Sequence, residues 1–425
     1  MNPTLTVHRS AHEIGGNCVE IACDGHRLLL DIGRPLNAEP DRERDATLLP
    51  TTLDLSRPVD AVVLSHPHQD HYGLLQVLPP EWPVWSGAPT DDLIGLMGDI
   101  FSLPRTHRFR HYRSSRPFVA GPFKVTPFLV DHSAFDAHAF LVEVGGRRVF
   151  YSGDLRFSGR KAALSQRLLD HPPRDIDVLL LEGTTLGRKG AFPTESDLEA
   201  RFVDLFKSTP GRVFVTWSAQ NVDRTVTLYR ACLKAGRTLV VDVYSADVLD
   251  RLSRFSRRLP KPGSDNLTVV VTRKMADMYR WRLGRPDFIP ERCVPHGCSA
   301  RRLNATPEKL VVMLRWGLFE DYERAGVRPT SDDAWVFSMW SGYLEHPTHQ
   351  HIQSWFETAG AKVTSIHTSG HAAPKDLFRF AEAVKPRFLV PIHGADWDRH
   401  VGWFPNVMRL ADGEVFEIPE KGKLE

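Results

Sequence analysis

A short histidine-rich segment is the clearest chemical signal in this 425-residue sequence. Positions 65–71 read SHPHQDH and directly follow the apolar run 61–64. Imidazole and carboxylate groups suit zinc or manganese. In a turn after a buried strand, His66 and His68 can face one metal ion while Asp70 and His71 face a second. Two ions about 3.5–4 Å apart can hold a bridging hydroxide and clamp a phosphate or carbonyl oxygen. The spacing therefore predicts a two-metal hydrolytic site.

Three further ligand candidates, His132, Asp154 and His393, each follow an apolar strand. A carboxylate such as Asp154 can bridge both ions and leave a position open for water. The alternative, a solvent-exposed histidine-rich turn, weakens with each additional candidate. The expected cofactors are two Zn²⁺ ions, with Mn²⁺ as the alternative. The predicted ligands are His66, His68, Asp70, His71, His132, Asp154 and His393. Asp70 also counts as catalytic, because a misplaced metal cannot activate water.

Short strands joined by turns must position these groups. The candidates are rich in Val, Leu, Ile and Phe and are separated by Gly, Pro and Asp, which is typical of strands and turns. Several end in a potential ligand, and loops at strand ends are where a rigid scaffold usually places chemistry. The candidate strands are 5–8, 18–21, 27–31, 61–65, 123–130, 139–144, 148–152 and 178–182.

The pattern changes near Gly190 to alternating helices and strands. Thr194 to Asp197 form a capping-box pattern that predicts a helix start. A βαβ unit follows, which implies parallel pairing of its strands. It consists of a strand at 213–217, a helix at 224–235 closed by Gly236, and a strand at 238–243. Pro307 after Thr306 predicts another helix start. Further strands are expected at 335–339, 363–366 and 388–392, with helices around 352–358 and 376–384. An α/β segment is thus inserted into a β-rich unit.

The ligand pattern resembles the metallo-β-lactamase fold. The matching residues are Asp31 in the segment LDIG, then the histidine cluster, His132 and Asp154. The resemblance implies an α/β fold, namely an αββα sandwich with its metals at one edge. In that family the early aspartate orients a ligand histidine, so Asp31 is expected to support the site without binding a metal.

Three later segments resemble the β-CASP subfamily, which comprises the metallo-β-lactamase nucleases. LLLEGTT at 179–185 is similar to its motif A, TSGHA at 368–372 to motif B, and PIHG at 391–394 to motif C. The stretch 366–394 looks particularly like ribonuclease J, although Ala395 stands where an acidic residue usually follows motif C. The compact length is closer to relatives of the cleavage-and-polyadenylation endonuclease. The implied domains are residues 1–190, an inserted β-CASP domain at 191–361, and a return to the first domain at 362–425.

The resemblance also assigns roles to the motif residues. His371 would be the general acid that protonates the leaving oxygen, with Glu182 hydrogen-bonded to it, and Ser369 could hold a phosphate oxygen. A carboxylate partner raises the pKa of a histidine and keeps its proton available.

A basic stretch supplies candidate substrate contacts. Residues 105–116 contain five arginines, two histidines and no acid, with Phe109 and Tyr112 interleaved. Such clusters can follow a phosphate backbone, and aromatic rings can stack on bases. The alternative is a solvated charged face. Arg108 and Arg110 are the candidates for binding single-stranded RNA.

Composition narrows the class of protein. The net charge is +2, from 54 Lys+Arg against 52 Asp+Glu, which neither indicates nor excludes nucleic-acid binding. No apolar run reaches the ~18 residues that span a bilayer, and the first residues lack the pattern of a signal peptide. Five scattered cysteines do not suit a disulfide scaffold. We expect a cytoplasmic protein without a membrane partner, and a homodimer remains open.

Four functions compete. The first is a two-metal phosphodiesterase that hydrolyses single-stranded RNA by exonucleolytic or endonucleolytic cleavage. The second is a DNA nuclease of the β-CASP group; its members typically carry valine in motif C, so His393 favours RNA. The third, a small-molecule ester or thioester hydrolase, is disfavoured by the large insert. The fourth, a non-catalytic nucleic-acid-binding relative, is disfavoured because every expected ligand is present.

Overall fold

The computed structural model describes residues 2–39 and 41–420. The chain divides into two compact units. Unit 1 comprises Met1–Gly98, Leu103–Ala191 and Gly370–Glu425. Unit 2 comprises Asp99–Ser102 and Phe192–Ser369. Most of unit 2 is therefore one continuous insertion into the chain of unit 1.

Seven strands form the first sheet of unit 1: β1 (Thr4–Arg9), β2 (Cys18–Cys23), β3 (His26–Leu30), β4 (Ala61–Val63), β5 (Val84–Ser86), β6 (Phe109–His111) and β19 (Val415–Glu417). Their order is β19-β1-β2-β3-β4-β5-β6. β19, β1, β2 and β3 pair antiparallel, and β3 to β6 pair parallel. Parallel strands covered on both faces read as continuous apolar runs, and the three leucines of β3 are all buried.

Six strands form the second sheet of unit 1: β7 (Phe118–Ala120), β8 (Phe123–Leu129), β9 (His138–Val144), β10 (Arg147–Tyr151), β11 (Val178–Glu182) and β18 (Phe388–Ile392). Their order is β18-β11-β10-β9-β8-β7. β11 is central to the site, because it pairs parallel with β10 on one side and with β18 on the other. The strand β18 therefore joins a sheet whose other strands all come before residue 183.

Helices cover the outer faces of both sheets: α1 (Gln69–Tyr72), α2 (Ala88–Phe101), α3 (Ala162–Asp170) and α11 (Pro374–Val384). Between the sheets lies a core that includes Leu28 and Phe140. A second core joins the other face of the second sheet to α3 and α11, with Phe380 at its centre. A third joins the other face of the first sheet to Tyr72 and Ile94. This αββα layering confirms the predicted fold class.

The carboxyl ends of the parallel strands carry the chemistry of unit 1. Asp31 follows β3, His66 follows β4, Glu182 ends β11 and His393 follows β18. Asp31 and His393 have φ angles of +61° and +48°. The left-handed region is uncommon for residues other than glycine, and such strain is typically retained where it aims a functional side chain.

Unit 2 is a three-layer α/β unit. Its sheet contains β12 (Val213–Thr216), β13 (Thr238–Asp242), β14 (Leu267–Val270), β15 (Leu310–Met313), β16 (Ala334–Phe337) and β17 (Lys362–Ser365). The order is β14-β13-β15-β12-β16-β17, and all pairs are parallel. The helices are α4 (Glu195–Ser208), α5 (Val222–Ala235), α6 (Val243–Leu252), α7 (Arg273–Asp277), α8 (Ala300–Ala305), α9 (Trp316–Arg324) and α10 (Pro347–Thr358).

Local sequence signals explain the first helices of unit 2. The Thr194 hydroxyl accepts a hydrogen bond from the Asp197 backbone, and the Asp197 carboxylate accepts one from the Thr194 backbone, so the predicted capping box forms. Gly236 ends α5 in the left-handed conformation, with φ +69°. A glycine adopts that conformation without steric penalty.

Two expectations differ from the structure. Pro307 begins only a single 3-10 turn, and the helix expected there is wrong, because residues 310–313 form the buried strand β15 between β12 and β13. The return to unit 1 comes at Gly370 and not at residue 362. The reason is that Lys362–Ser365 pairs with β16 and extends the sheet of unit 2.

Among residues 2–39 and 41–420, no helix combines the length and the apolar character that crossing a membrane requires.

Candidate metal centre

Three histidine side chains of unit 1 converge on one point. His66 Nε2 and His132 Nε2 lie 3.1 and 3.2 Å from His68 Nδ1. Two ligands of a tetrahedral zinc ion, each about 2.0–2.1 Å from the metal, are about 3.3 Å apart. The ring nitrogens therefore stand at the separation that the ligands of a single ion adopt. His68 is the N-cap of α1, whereas His66 and His132 follow β4 and β8.

A second group forms beside the first around Asp70, His71 and His393. The Asp70 carboxylate lies 3.9 Å from His71 Nε2 and 3.8 Å from His393 Nε2. Asp154 connects the two groups, because its Oδ2 atom is 3.1 Å from His71 Nε2 and 3.7 Å from His66 Nε2. The structure thus brings all seven predicted ligands together in two sets that share Asp154.

Several atoms of these groups are buried without a hydrogen-bond partner. Within the part of the chain that the structure describes, this holds for His393 Nε2 and Asp154 Oδ1. Buried polar atoms are nearly always hydrogen-bonded, and leaving one unpaired costs about 1–3 kcal/mol. Imidazole nitrogens and a carboxylate oxygen, all facing one another, are the donor set of a divalent metal site. The residues fit the metal ions that the fold implies.

Burial controls the protonation of most of these histidines. It holds the pKa of His66 and of His132 well below the ordinary value and lowers the pKa of His68 to about 4. Burial also lowers the pKa of His71, but the carboxylates of Asp154, Asp31 and Asp70 outweigh it and hold that pKa well above the ordinary value. The first three rings therefore offer neutral nitrogens, and His71 must lose a proton when it binds a metal ion.

The ring of His71 is held by the buried Asp31. The Nδ1 atom of His71 lies 2.7 Å from Asp31 Oδ2. The same carboxylate accepts hydrogen bonds from the backbone and the hydroxyl of Ser65, both at 2.7 Å. Metal-binding histidines usually donate their other ring N–H to such a partner, which fixes the orientation of the ring.

Gly33 permits the close packing behind Asp70. A Cβ atom at this position would lie 1.7 Å from the carbonyl oxygen of Asp70. A clash with backbone at this distance cannot be relieved by a side-chain rotation. The loop after β3 therefore requires glycine if Asp70 is to face His71 and His393.

Glu182 and His371 form a hydrogen-bonded pair at the margin of the cluster. His371 Nδ1 lies 3.1 Å from Glu182 Oε2 and 3.7 Å from Asp154 Oδ2. The carboxylate of Glu182 is fully buried and also accepts a hydrogen bond from the backbone of Thr184. Burial lowers the pKa of His371, but Glu182 and then Asp154 outweigh it and raise that pKa. The pair can hold a proton next to the cluster of candidate metal ligands.

The remaining predicted residues are Ser369 and the two arginines. Ser369 is the last residue of unit 2. Arg108 precedes β6 at its amino end, and Arg110 is exposed with its guanidinium 5.7 Å from the centre of the Trp85 ring. The cluster stands at the carboxyl ends of the parallel strands, so the structure gives neither arginine a place within it.

Sequence reasoning missed Asn17 and Tyr151. Asn17 Oδ1 lies 2.7 Å from His393 Nδ1, although the two residues are far apart in the chain. Tyr151 donates a hydrogen bond to Asp31 at 2.6 Å. Neither residue type signals metal chemistry; the available hints were a polar residue after the Gly15–Gly16 turn and a tyrosine at the end of the strand Arg147–Tyr151.

Comparisons with known proteins agree with this geometry. Residues 35–220 match the family described as Beta-lactamase superfamily domain. Ribonuclease J of Mycobacterium tuberculosis (strain CDC 1551 / Oshkosh) is 27% identical over 417 residues, which cover 92% of this chain and 68% of that protein. Ribonuclease J of Helicobacter pylori (strain B128) is 22% identical, over 90% of this chain and 54% of that protein.

A solved structure shares the fold over nearly the whole chain. It is described as a protein of unknown function from Enterococcus faecalis V583, with a TM-score of 0.79, 20% identity, and coverage of 98% of this chain and 100% of that one. The resemblance seen in the motifs is confirmed. Residues 35–220 thus resemble the beta-lactamase superfamily domain, and over about nine tenths of its length the chain is similar to the ribonucleases J, which indicates a metal-dependent hydrolase.

Proposed function

We propose that this chain is a two-zinc phosphodiesterase that hydrolyses single-stranded RNA, with Mn²⁺ as the alternative metal. One observation carries the proposal: two sets of ligand atoms share Asp154 and lie beside the Glu182–His371 pair. This arrangement combines a site for two ions with a proton donor, which are the two requirements for hydrolysing a phosphodiester with a poor leaving group.

The seven proposed ligands divide between two positions. His66, His68 and His132 would hold one ion, and Asp70, His71 and His393 would hold the other. Asp154 lies between the two groups and would contact both. When bound, two such ions lower the pKa of a water molecule and neutralise charge on the phosphate. Asp31 would hold His71 in place without binding a metal.

His371 would protonate the leaving oxygen. Its Nδ1 atom faces Glu182, so the proton that is transferred would leave from Nε2. The Glu182 carboxylate stabilises the protonated ring, which raises the pKa of His371, and it fixes the direction of the ring. Because Glu182 is buried and also held by the Thr184 backbone, it can orient His371 without taking part in proton transfer itself.

The choice of RNA rests on the named relatives and on His393. Both relatives described above are ribonucleases J. The resemblance gives the DNA-directed members of the group valine in motif C, where this chain has His393. We further propose that unit 2 is a β-CASP domain, that Ser369, Arg108 and Arg110 contact the phosphate backbone, and that the enzyme is cytoplasmic. A homodimer is compatible with these proposals.

End-labelled substrates test the proposal directly. The Zn²⁺-loaded protein is incubated with RNA and DNA 20-mers of one sequence, each labelled at the 5′ or the 3′ end, and the products are separated on a sequencing gel. We expect RNA to be cleaved at least about tenfold faster, because the 2′-hydroxyl distinguishes the two substrates. The ladder of products also separates exonucleolytic from endonucleolytic cleavage. The His68→Ala variant is the control for contaminating ribonuclease. Equal rates on DNA would favour the DNA-directed function.

A further inference from the structure

The buried carboxylate of Asp31 receives hydrogen bonds from three side chains. Its Oδ2 atom lies 2.6 Å from the Tyr151 hydroxyl, 2.7 Å from the Ser65 hydroxyl and 2.7 Å from His71 Nδ1. Its Oδ1 atom accepts the backbone N–H of Ser65 at 2.7 Å. An ionised carboxylate can only accept hydrogen bonds. Each of the three side chains must therefore direct its hydrogen at Asp31.

This requirement extends from Tyr151 to His393. A tyrosine hydroxyl has one hydrogen, and Asp31 receives it, so the oxygen must accept the hydrogen bond from Asn17 Nδ2 at 3.1 Å. With its amide nitrogen at Tyr151, Asn17 presents its carbonyl oxygen to His393 Nδ1, 2.7 Å away. That oxygen can only accept. His393 must therefore carry its proton on Nδ1, which leaves a lone pair on Nε2 facing Asp70.

The backbone holds Asn17 in this orientation. Its N–H donates to the carbonyl of Asp70 at 3.0 Å, and its carbonyl accepts the N–H of Gly33 at 2.8 Å. The side chain is buried completely. The amide thus cannot turn away from His393 without breaking contacts on both sides.

The same logic applies to His66 through Ser65. The one hydrogen of the Ser65 hydroxyl is directed at Asp31, so its oxygen must accept from His66 Nδ1, which lies 3.0 Å away. The lone pair of His66 is then on Nε2, the atom that faces His68. His71 donates to Asp31 directly. One carboxylate therefore determines the proton position on three rings.

We propose that Asp31 fixes the ligand tautomer of three histidines, in both metal positions, and that Tyr151 and Asn17 are positioning residues that carry this effect to His393. The inference rests on the two-ion site proposed above. A neutral imidazole binds a metal only through its unprotonated nitrogen, so the wrong tautomer removes a ligand. Partners of ligand histidines are worth about 10–100-fold in metal affinity.

Two buried tyrosines provide a matched test. Tyr151→Phe removes the hydroxyl that links Asp31 to Asn17. Tyr112→Phe is the control, because Tyr112 belongs to the same core but donates its hydrogen bond to the backbone carbonyl of Leu64. Zn²⁺ affinity is measured by equilibrium dialysis of the full chain against a competing chelator.

We expect Tyr151→Phe to weaken one of the two Zn²⁺ equivalents by about 10–100-fold and to leave the other nearly unchanged. Tyr112→Phe should leave both unchanged. If the two variants bind Zn²⁺ alike, the connection through Tyr151 is overturned. A wild-type chain that binds no Zn²⁺ would instead contradict the proposed function, so the two failures are distinguishable.

The proton position on His393 can be read without metal or activity. In metal-free protein with ¹⁵N-labelled histidine, NMR distinguishes the two tautomers, and His393→Gln identifies the signal. We expect His393 to be protonated on Nδ1 in the wild type. Asn17→Asp, which keeps an acceptor, should retain that tautomer, whereas Asn17→Leu should lose it. Protonation on Nε2 in the wild type would overturn the proposal even if Tyr151→Phe fails to fold.

Discussion

Each unit buries a cluster of charged side chains, and the two clusters differ in how completely their atoms are paired. In unit 2, Arg224 donates two hydrogen bonds to the carboxylate of Glu195, at 3.2 and 2.9 Å. Its third nitrogen donates to the Ser338 carbonyl at 3.0 Å, and Thr227 completes the shell of Glu195 at 2.6 Å. In unit 1, the cluster leaves His393 Nε2 and Asp154 Oδ1 without such partners among the described residues.

The difference separates a structural cluster from a binding site. Burial and charge alone do not distinguish them, since Arg224, Glu195 and Asp154 are all at most 1% exposed. A buried ion pair is tolerated when hydrogen bonds satisfy all of its atoms. A buried cluster that lacks those bonds carries a cost in free energy, which a bound cation removes. In the cluster around Asp154, it is the incomplete pairing of several facing ligand atoms, and not the presence of charge alone, that indicates a bound cation.

Metal removal is expected to give the largest effect. Dialysis against a chelator should abolish hydrolysis, because the proposed ions supply the lowered pKa of the attacking water. Returning Zn²⁺ to 100 times its Kd should restore activity and raise the free energy of unfolding by about 2.7 kcal/mol per site. Calorimetry and rate measurements check this. The Arg224→Met variant is the control, and its free energy of unfolding should rise by the same amount when zinc is added. Full activity after exhaustive chelation would contradict the two-metal assignment.

The Glu182–His371 pair is a satisfied contact within the functional cluster, and it should affect rate more than folding. His371→Ala should lower kcat by about 10²–10⁴-fold with metal content nearly intact, which is the usual worth of a general acid. Glu182→Gln should lower it less. The double variant should be little worse than His371→Ala, because groups that act as a unit are not additive. Strictly multiplicative losses would argue against the pair.

Disrupting the fully hydrogen-bonded cluster of unit 2 should lower stability and leave the rate of hydrolysis unchanged. Arg224→Met leaves the Glu195 carboxylate buried without its cation, which should lower the free energy of unfolding by about 3–5 kcal/mol. Adding Glu195→Met should recover part of that loss, because no charge then remains buried. Denaturant unfolding measures both. Hydrolysis per folded molecule should not change, and a selective loss of rate in Arg224→Met would erase the distinction between the clusters.

The candidate ligands of the sequence lie close together in the structure because of how the sheets are built. Each proposed ligand lies in a short element or within a few residues of one, and the strands β3, β4, β11 and β18 end at the same side of their sheets. Hydrophobic periodicity and the ends of strands depend on neighbouring residues, so they can be recognised in the sequence. The domain type was likewise predictable, since β12 and β13 flank an amphipathic helix.

The features that the sequence did not predict depend on contacts between distant parts of the chain. Asn17 meets His393 across 376 positions, and Tyr151 meets Asp31 across 120. No local pattern distinguishes such an asparagine from one in an ordinary turn. The strand Leu310–Met313 was missed for a similar reason, because its place in the centre of the sheet overrides the helix-start signal of Pro307.

A fully paired cluster within unit 1 allows the smallest and most specific test. Glu20 accepts hydrogen bonds from Arg27 at 2.7 Å and from His8 at 3.2 Å. Burial raises the pKa of Glu20, but these partners outweigh it and lower the pKa to about 2 from 4.5. A carboxyl whose folded pKa is depressed adds stability above its unfolded pKa, and that contribution disappears as the pH falls from 4.5 towards 2.

The shift of Glu20 corresponds to about 3 kcal/mol near neutral pH. Glu20→Gln should therefore destabilise the metal-free protein by about that amount at pH 7 and by less than half of it at pH 3. Using metal-free protein removes the separate effect of protonating the ligand histidines. Urea unfolding of both proteins at the two pH values gives the difference directly. A difference in unfolding free energy that stayed constant with pH would mean that Glu20 acts by packing and not by charge. Charge pairing would then not account for the stability of this cluster, in contrast to the Arg224–Glu195 cluster of unit 2.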